Sequence, residues 1–323
     1  MNRSWPVVIL LTFALGTTIL AAEHRPQVLV VVGAAGTPEY DAAFGKWADS
    51  WQAAAKKADA GYTIIGRDPE TPERDRERLK ESLTASSKFG TGPLWVVLIG
   101  HGTDDGREAR FNLRGPDVTA KELADWLAPV KRPVAVINCA SASAPFINHL
   151  SGPNRVVVTA TRSGVESNYA RFGQYISEAI ADPTADLDKD GQVSLLEAFL
   201  TAVNRVNEFY KGEARLATEH ALIDDNGDKL GSAADWFQGV RAVKRAKDGA
   251  EVDGLRAHQW HLIPSERERA LPADVRRRRD DLELTLASLR DQKAKLTEEE
   301  YYTRLEKVLL DLSRLYREAD RMK

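Results

Sequence analysis

Two single residues and one twelve-residue stretch carry the chemistry this sequence has to offer. His101 follows the apolar run PLWVVLIG at 93–100 and precedes Gly102. Cys139, the only cysteine in the chain, follows the run RPVAVIN at 132–138. A thiol that can ionise, beside an imidazole that can hold or deliver a proton, is a nucleophile for acyl transfer. Gly102 leaves its N–H unobstructed, and together with the Cys139 N–H it would form an oxyanion site. Each residue also has a plainer reading. His101 can be a hydrogen-bonded histidine at a strand end, and Cys139 a buried small hydrophobe. Their joint placement at two strand ends is what favours chemistry.

The stretch is DLDKDGQVSLLE, 186–197. It fits the EF-hand calcium loop position by position. Asp186, Asp188 and Asp190 hold positions one, three and five, and Gly191 is the glycine at six. Gln192 offers its backbone carbonyl at seven, Ser194 sits at nine, and Glu197 is the carboxylate at twelve. Val193, at eight, is expected to point into the core. The expected cofactor is one calcium ion, and no organic cofactor; the plain alternative is an acidic turn without metal. The segment IDDNGDKLG, 223–231, alternates Asp224, Asn226 and Asp228 but has Lys229 where glycine belongs, and reads as a polar turn. His220 has no assignable role.

The elements that must position these residues follow from periodicity. QVLVVVG (27–33), YTIIG (62–66), PLWVVLIG (93–100), RPVAVIN (132–138) and NRVVVTA (154–160) are short apolar runs, hence buried strands. Between them lie helical stretches. One carries Phe44, Trp47, Trp51 and Ala55 at spacings of three to four, one spans 71–87, and one opens at the Thr119–Glu122 capping box. Unbroken apolar strands alternating with helices indicate an α/β fold with a mostly parallel sheet flanked by helices. In such sheets ligands bind beyond the carboxyl ends of the strands, where His101 and Cys139 both fall. Residues 168–209 read as helix, loop, helix, and 210–270 as irregular. From Ala273 the chain reads as a helical hairpin, with Leu305, Val308, Leu309, Leu312, Leu315, Tyr316 and Ala319 on one stripe and the Arg276–Arg279 run as a solvated face rather than a nucleic-acid site. Residues 273–322 either pack on the main domain or pair with a second copy or a protein partner.

The composition is globular, 43% hydrophobic and 29% charged, and the net charge of -3 gives no case for nucleic acid. The N-terminus has Arg3, an apolar stretch from Val7 to Leu20, and Ala21-Ala22. This is a secretory signal pattern, too short for an ordinary membrane span. The expected organisation is a signal peptide at 1–22, one domain at 23–270 that includes the calcium loop, and the hairpin at 271–323. The expected place of work is periplasmic or extracellular, without membrane attachment after cleavage; an uncleaved N-terminal anchor is the alternative.

The blocks VVLIGHG and VAVINCASAS resemble the legumain-like cysteine peptidases of the caspase and gingipain group. That family places serines two and four residues after its cysteine, as Ser141 and Ser143 stand here. It also has an Ala-Thr pair and a Glu-Ser-Ser-Tyr-Ala segment, matched by Ala160-Thr161 and Glu166-Ser167-Asn168-Tyr169-Ala170. The resemblance covers roughly residues 27 to 180. It implies a caspase-like sheet carrying an exported endopeptidase or transpeptidase that acts on a peptide or protein substrate. Cys139 would form a thioester, His101 would protonate the departing amine and then activate water, and Ser167 and Asn168 would contact the side chain before the scissile bond. The family's acidic residue two before the cysteine is Ile137 here, and GAAGTPEYDAAF lacks its Arg-His pair. The alternative is a catalytically inactive, calcium-binding interaction protein on the same fold.

Overall fold

The computed structural model describes residues 24–88, 90–247 and 251–321. The signal segment expected at 1–22 lies outside them. Among the described residues, no helix is long and apolar enough to cross a membrane.

Among the described residues, seven strands form the central sheet. In chain order they are β1 (Gln27–Val32), β2 (Gly61–Ile65), β3 (Leu94–Ile99), β7 (Val134–Asn138), β8 (Arg155–Thr159), β9 (Leu222–Asp224) and β10 (Ser232–Ala233). The numbers between are taken by a small antiparallel sheet of β4 (Gly102–Asp104), β5 (Ala109–Phe111) and β6 (Val118–Thr119). The spatial order of the large sheet is β10-β9-β8-β7-β3-β1-β2. The five strands read from the sequence pair parallel to one another, while β9 and β10 add an antiparallel edge. This is the α/β fold class expected, a mostly parallel sheet flanked by helices. The edge strands were missed in the irregular stretch 210–270, because runs of two or three residues carry no period.

Side chains alternate across the strands and sort into two cores. On one face Val30, Trp95, Val97, Ile99, Ala135, Ile137 and Cys139 pack under α1 (Pro38–Lys57), α5 (Phe172–Ala179) and α6 (Leu195–Gly212). On the other, Val31, Val96, Leu98, Val134 and Val136 pack under α2 (Asp75–Lys88), α3 (Ala120–Leu127) and α4 (Pro145–Leu150). The α1 residues expected to face inward, Phe44, Trp47, Trp51 and Ala55, are all buried. The Thr119–Glu122 capping box forms as expected, so the first turn of α3 has its orphan N–H groups satisfied.

Short helices α7 (Leu255–His258) and α8 (Glu266–Ala270) lead into the hairpin of α9 (Ala273–Asp291) and α10 (Glu298–Arg321). The hairpin has its own small core of Leu271, Val275, Leu315 and Ala319. It is packed against the preceding segments: Gln259 Nε2 donates to the Asp280 carbonyl (2.8 Å), and Arg279 forms a forked pair with Glu268. The Arg276–Arg279 run is therefore only partly the solvated face expected. Arg277 and Arg278 are exposed, but Arg279 turns inward because Glu268 and Asp280 supply carboxylates there.

The small sheet closes the carboxyl end of the large one. The Asn112 N–H donates to the His101 carbonyl (3.0 Å), and the Asn112 carbonyl accepts from Ala34 N–H (2.9 Å). The Phe111 ring then lies against Gly33 and Gly100, where a Cβ at either position would fall 3.1 Å from it. Neither strand end could carry a side chain without displacing that ring. Phe111→Ala should lower unfolding stability by about 3–5 kcal/mol, read as a fall in the urea midpoint. A loss under about 1 kcal/mol would show that the small sheet does not brace the strand ends.

Candidate functional site

His101 stands two residues beyond Ile99, and Cys139 two beyond Ile137, so each keeps the parity of the α1–α5 face. Strands β3 and β7 are parallel neighbours, with Leu98 opposite Asn138. Imidazole and thiol are therefore delivered to one edge and one face of the sheet.

They do not share an open cleft there, which corrects the expected arrangement. Cys139 is only 1% exposed. Its Cβ and the Trp47 ring press on Gly173 so closely that a Cβ at 173 would fall 2.8 Å from the first and 2.5 Å from the second. Burial pushes the thiol far above its usual range, and the nearby Glu219 charge pushes it further. No hydrogen bond joins it to His101. The His101 ring instead packs edge-on against Tyr40 and Phe44, at centroid separations of 4.9 and 5.3 Å. Its Nε2 lies 3.2 Å from the Ala35 carbonyl. A carbonyl only accepts, so Nε2 carries the proton and Nδ1 is left bare. Burial lowers the imidazole below its usual range, and the Ala35 contact opposes this. Tyr169, stacked on Tyr40 at 4.5 Å, completes the aromatic cover.

The expected oxyanion donors are likewise committed, a second correction. Cys139 N–H donates to the Leu98 carbonyl (2.9 Å), as part of the strand ladder. Gly102 N–H donates to Ser141 Oγ (3.2 Å), and that hydroxyl donates back to the Gly102 carbonyl (3.1 Å). Both serines after the cysteine are structural. Ser143 Oγ accepts from Ala160 N–H and Thr161 N–H, while Thr161 Oγ1 accepts from Ser143 and Ala144 N–H. Asn138 has a local role: its Oδ1 accepts from Ala140 N–H (3.1 Å) and turns the chain as it leaves β7.

Ser167 and Asn168 are exposed on the loop after β8, whereas Cys139 is buried. Their neighbour Glu166 organises that loop, and its pairing was not legible from the sequence. Its Oε1 lies 2.6 Å from His220 Nδ1, and its Oε2 accepts from Arg162 and His220 N–H groups. His220, without a role in the sequence, is thus held by a residue 54 positions away. A cleft of about 420 Å³ opens beside it, lined by Phe172, Leu200, Val203 and Glu219 among others, and neither Cys139 nor His101 reaches it.

The loop 186–197 has an ordered backbone. Lys189 and Gly191 take left-handed conformations (φ 64° and 89°), and the carboxylate oxygens of Asp186, Asp188 and Asp190 lie within 4.8 Å of one another. Ser194 and Glu197 form a capping box that starts α6. Glu197, buried, turns its carboxylate into the loop, where Oε1 accepts from Leu187 N–H (2.8 Å) and Asp188 N–H (3.2 Å). Val193 is buried in the core, as its position predicts. Ser194 forms a β-bridge with His261, and His258 Nε2 contacts Asp188 Oδ2 (2.9 Å). The donors at positions one, three, five, seven and twelve are oxygens, the atom type a hard cation takes, and His258 stands beside Asp188 and Glu197.

No family model matches this chain, and no curated protein matches it. Among solved structures it is similar to caspase-1 from Spodoptera frugiperda, at 11% identity and a TM-score of 0.41 over 63% of this chain and 87% of that one. It is also similar to the Drosophila initiator caspase Dronc, at 14% identity and a TM-score of 0.44 over 63% and 80% of the two chains. A third is the pro-form, pro-sf-caspase-1, at 11% identity and a TM-score of 0.39 over 61% and 86%. At such identities and scores these likenesses concern the course of the chain and say nothing of activity.

Gly173→Ala should lower stability by about 1–3 kcal/mol, because the added methyl must displace the Trp47 ring or the Cys139 side chain. Unchanged thermal unfolding would mean that α5 does not press on the cysteine.

Proposed function

We propose that this chain is a calcium-binding interaction protein on a peptidase-type α/β sheet, and that Cys139 and His101 do not work as nucleophile and base. The observation that carries the reading is the burial of the Cys139 thiol beneath Trp47 and Gly173. A buried, protonated thiol with no base in contact is a poor nucleophile. Calcium would be held by Asp186, Asp188 and Asp190, the Gln192 carbonyl and Glu197. Bound there, it would supply a fixed positive centre joining the loop to the 258–262 segment that His258 and the Ser194–His261 bridge already place alongside. The partner is a protein or a second copy of the chain, met through residues 273–322, where Tyr302, Leu309 and Leu310 stand exposed on α10. Work outside the cytoplasm fits both the N-terminal pattern and a steady calcium supply.

A second reading, the exported cysteine endopeptidase or transpeptidase, is favoured by one observation: both side chains reach the same edge and face of neighbouring strands. In it, α1 and α5 must part before the Cys139 thiolate can form a thioester with a peptide substrate, with His101 as acid and then base. The two readings separate with a peptidyl acyloxymethyl ketone probe applied to the full chain in calcium. We expect no labelling above the Cys139→Ala background. Saturable labelling that is lost in His101→Ala would instead establish the activated pair.

For calcium, Asp186→Asn with Asp190→Asn keeps side-chain size and removes two charges. The rise in melting temperature on adding calcium should fall to less than about half that of the parent chain, with little change in chelator. An undiminished rise would remove this loop from the account.

A further inference from the structure

Asp224 closes β9 and is only 1% exposed. Its Oδ1 accepts from Gly227 N–H (3.0 Å), so the carboxyl points into the turn that follows. Its Oδ2 is buried and makes no hydrogen bond of regular geometry, the Ser151 hydroxyl being the side-chain donor beside the carboxyl. A buried carboxylate oxygen without a well-formed hydrogen bond is costly, and such a group normally meets a proton, a water or a cation.

The turn ahead of that oxygen repeats the backbone of the loop at 186–197. Counting from Asp224, Gly227 and Lys229 stand fourth and sixth with φ of 86° and 70°; in the first loop Lys189 and Gly191 stand there with 64° and 89°. Asp228 N–H donates to Asn226 Oδ1 and Leu230 N–H to Asp228 Oδ1, both at 2.8 Å. The equivalent bonds in the first loop are Asp190 N–H to Asp188 Oδ1 (3.1 Å) and Gln192 N–H to Asp190 Oδ1 (2.9 Å). Lysine takes the left-handed position that glycine usually fills, which is why the sequence pattern alone reads as a polar turn.

We propose that Asp224–Leu230 is a second calcium site, with ligands from the Asp224, Asn226 and Asp228 side chains and the Leu230 carbonyl. Asp224 forms its floor, and Asp228 stands on its exposed side. The frame is set by protein contacts. Asp253 Oδ1 accepts from Asp225 and Asn226 N–H groups, and Lys229 N–H donates to Ser151 Oγ (3.1 Å). The twelfth residue, Asp235, is exposed and paired with Lys244, so the site lacks a counterpart of Glu197. With fewer charged ligands it binds more weakly than the first loop, with water completing the shell. The proposal stands apart from the reading of residues 186–197, and its test keeps the two separable.

The test is calorimetric titration of the chelator-stripped full chain with calcium chloride. The parent chain should bind about two ions, and the Asp186→Asn/Asp190→Asn chain about one, with lower affinity. Adding Asp228→Asn, an exposed and size-conserving change, should weaken that remaining binding at least about tenfold, as should Asp224→Asn. If the parent binds one ion and only Asp228→Asn removes it, the second site stands and the first fails. If the first-loop variant binds none, or its binding survives both second-loop changes, the proposal is overturned.

Discussion

The contact of Gly173 and Trp47 with Cys139 decides what the carboxyl edge of this sheet can do. Strand parity and parallel pairing bring a thiol and an imidazole to one face, as a nucleophile–base pair requires. Helices α1 and α5 then meet over that face and remove the sulfur from water. Desolvation favours the neutral thiol, and the Glu219 charge acts in the same direction. Burial among aromatic rings disfavours the charged imidazole as well, against the pull of the Ala35 carbonyl. A strand hydrogen bond and the Ser141 hydroxyl take up the amide groups that would have held an oxyanion. The same residue types that suggest catalysis here serve as packing and hydrogen-bonding parts of a closed edge.

Polar chemistry is concentrated instead in the segment between β8 and the hairpin. Three carboxylates there bind backbone N–H groups. Glu197 holds the loop before α6, Glu166 holds the turn before Tyr169, and Asp253 holds the turn after β9. Each fixes an irregular stretch that has no sheet or helix ladder to satisfy it. Carboxyl oxygens are thereby gathered at two places with a shared backbone shape, which is what oxygen-ligated cation sites are made from.

Much of this was legible in the sequence. Apolar runs marked the five parallel strands, and the period of Phe44, Trp47, Trp51 and Ala55 marked the buried face of α1. Thr119 with Glu122 marked the start of α3. The common edge of His101 and Cys139 followed from their positions after β3 and β7. The sealing of that edge did not, because it depends on Gly173 and Trp47, which lie 34 and 92 residues from Cys139 in no readable register. The Glu166–His220 pair was hidden for the same reason. Strands β9 and β10 were too short to show alternation, and Lys229 masked a left-handed position that only coordinates reveal.

The central claim is that the Cys139 thiol is shielded and neutral in the folded chain. Its most direct test is the rate of iodoacetamide alkylation at Cys139 in the native protein, followed by mass spectrometry from pH 6 to 9. The account predicts slow modification throughout this range, rising to the rate of a free thiol only on unfolding. Fast modification already at neutral pH, lost in His101→Ala, would contradict it.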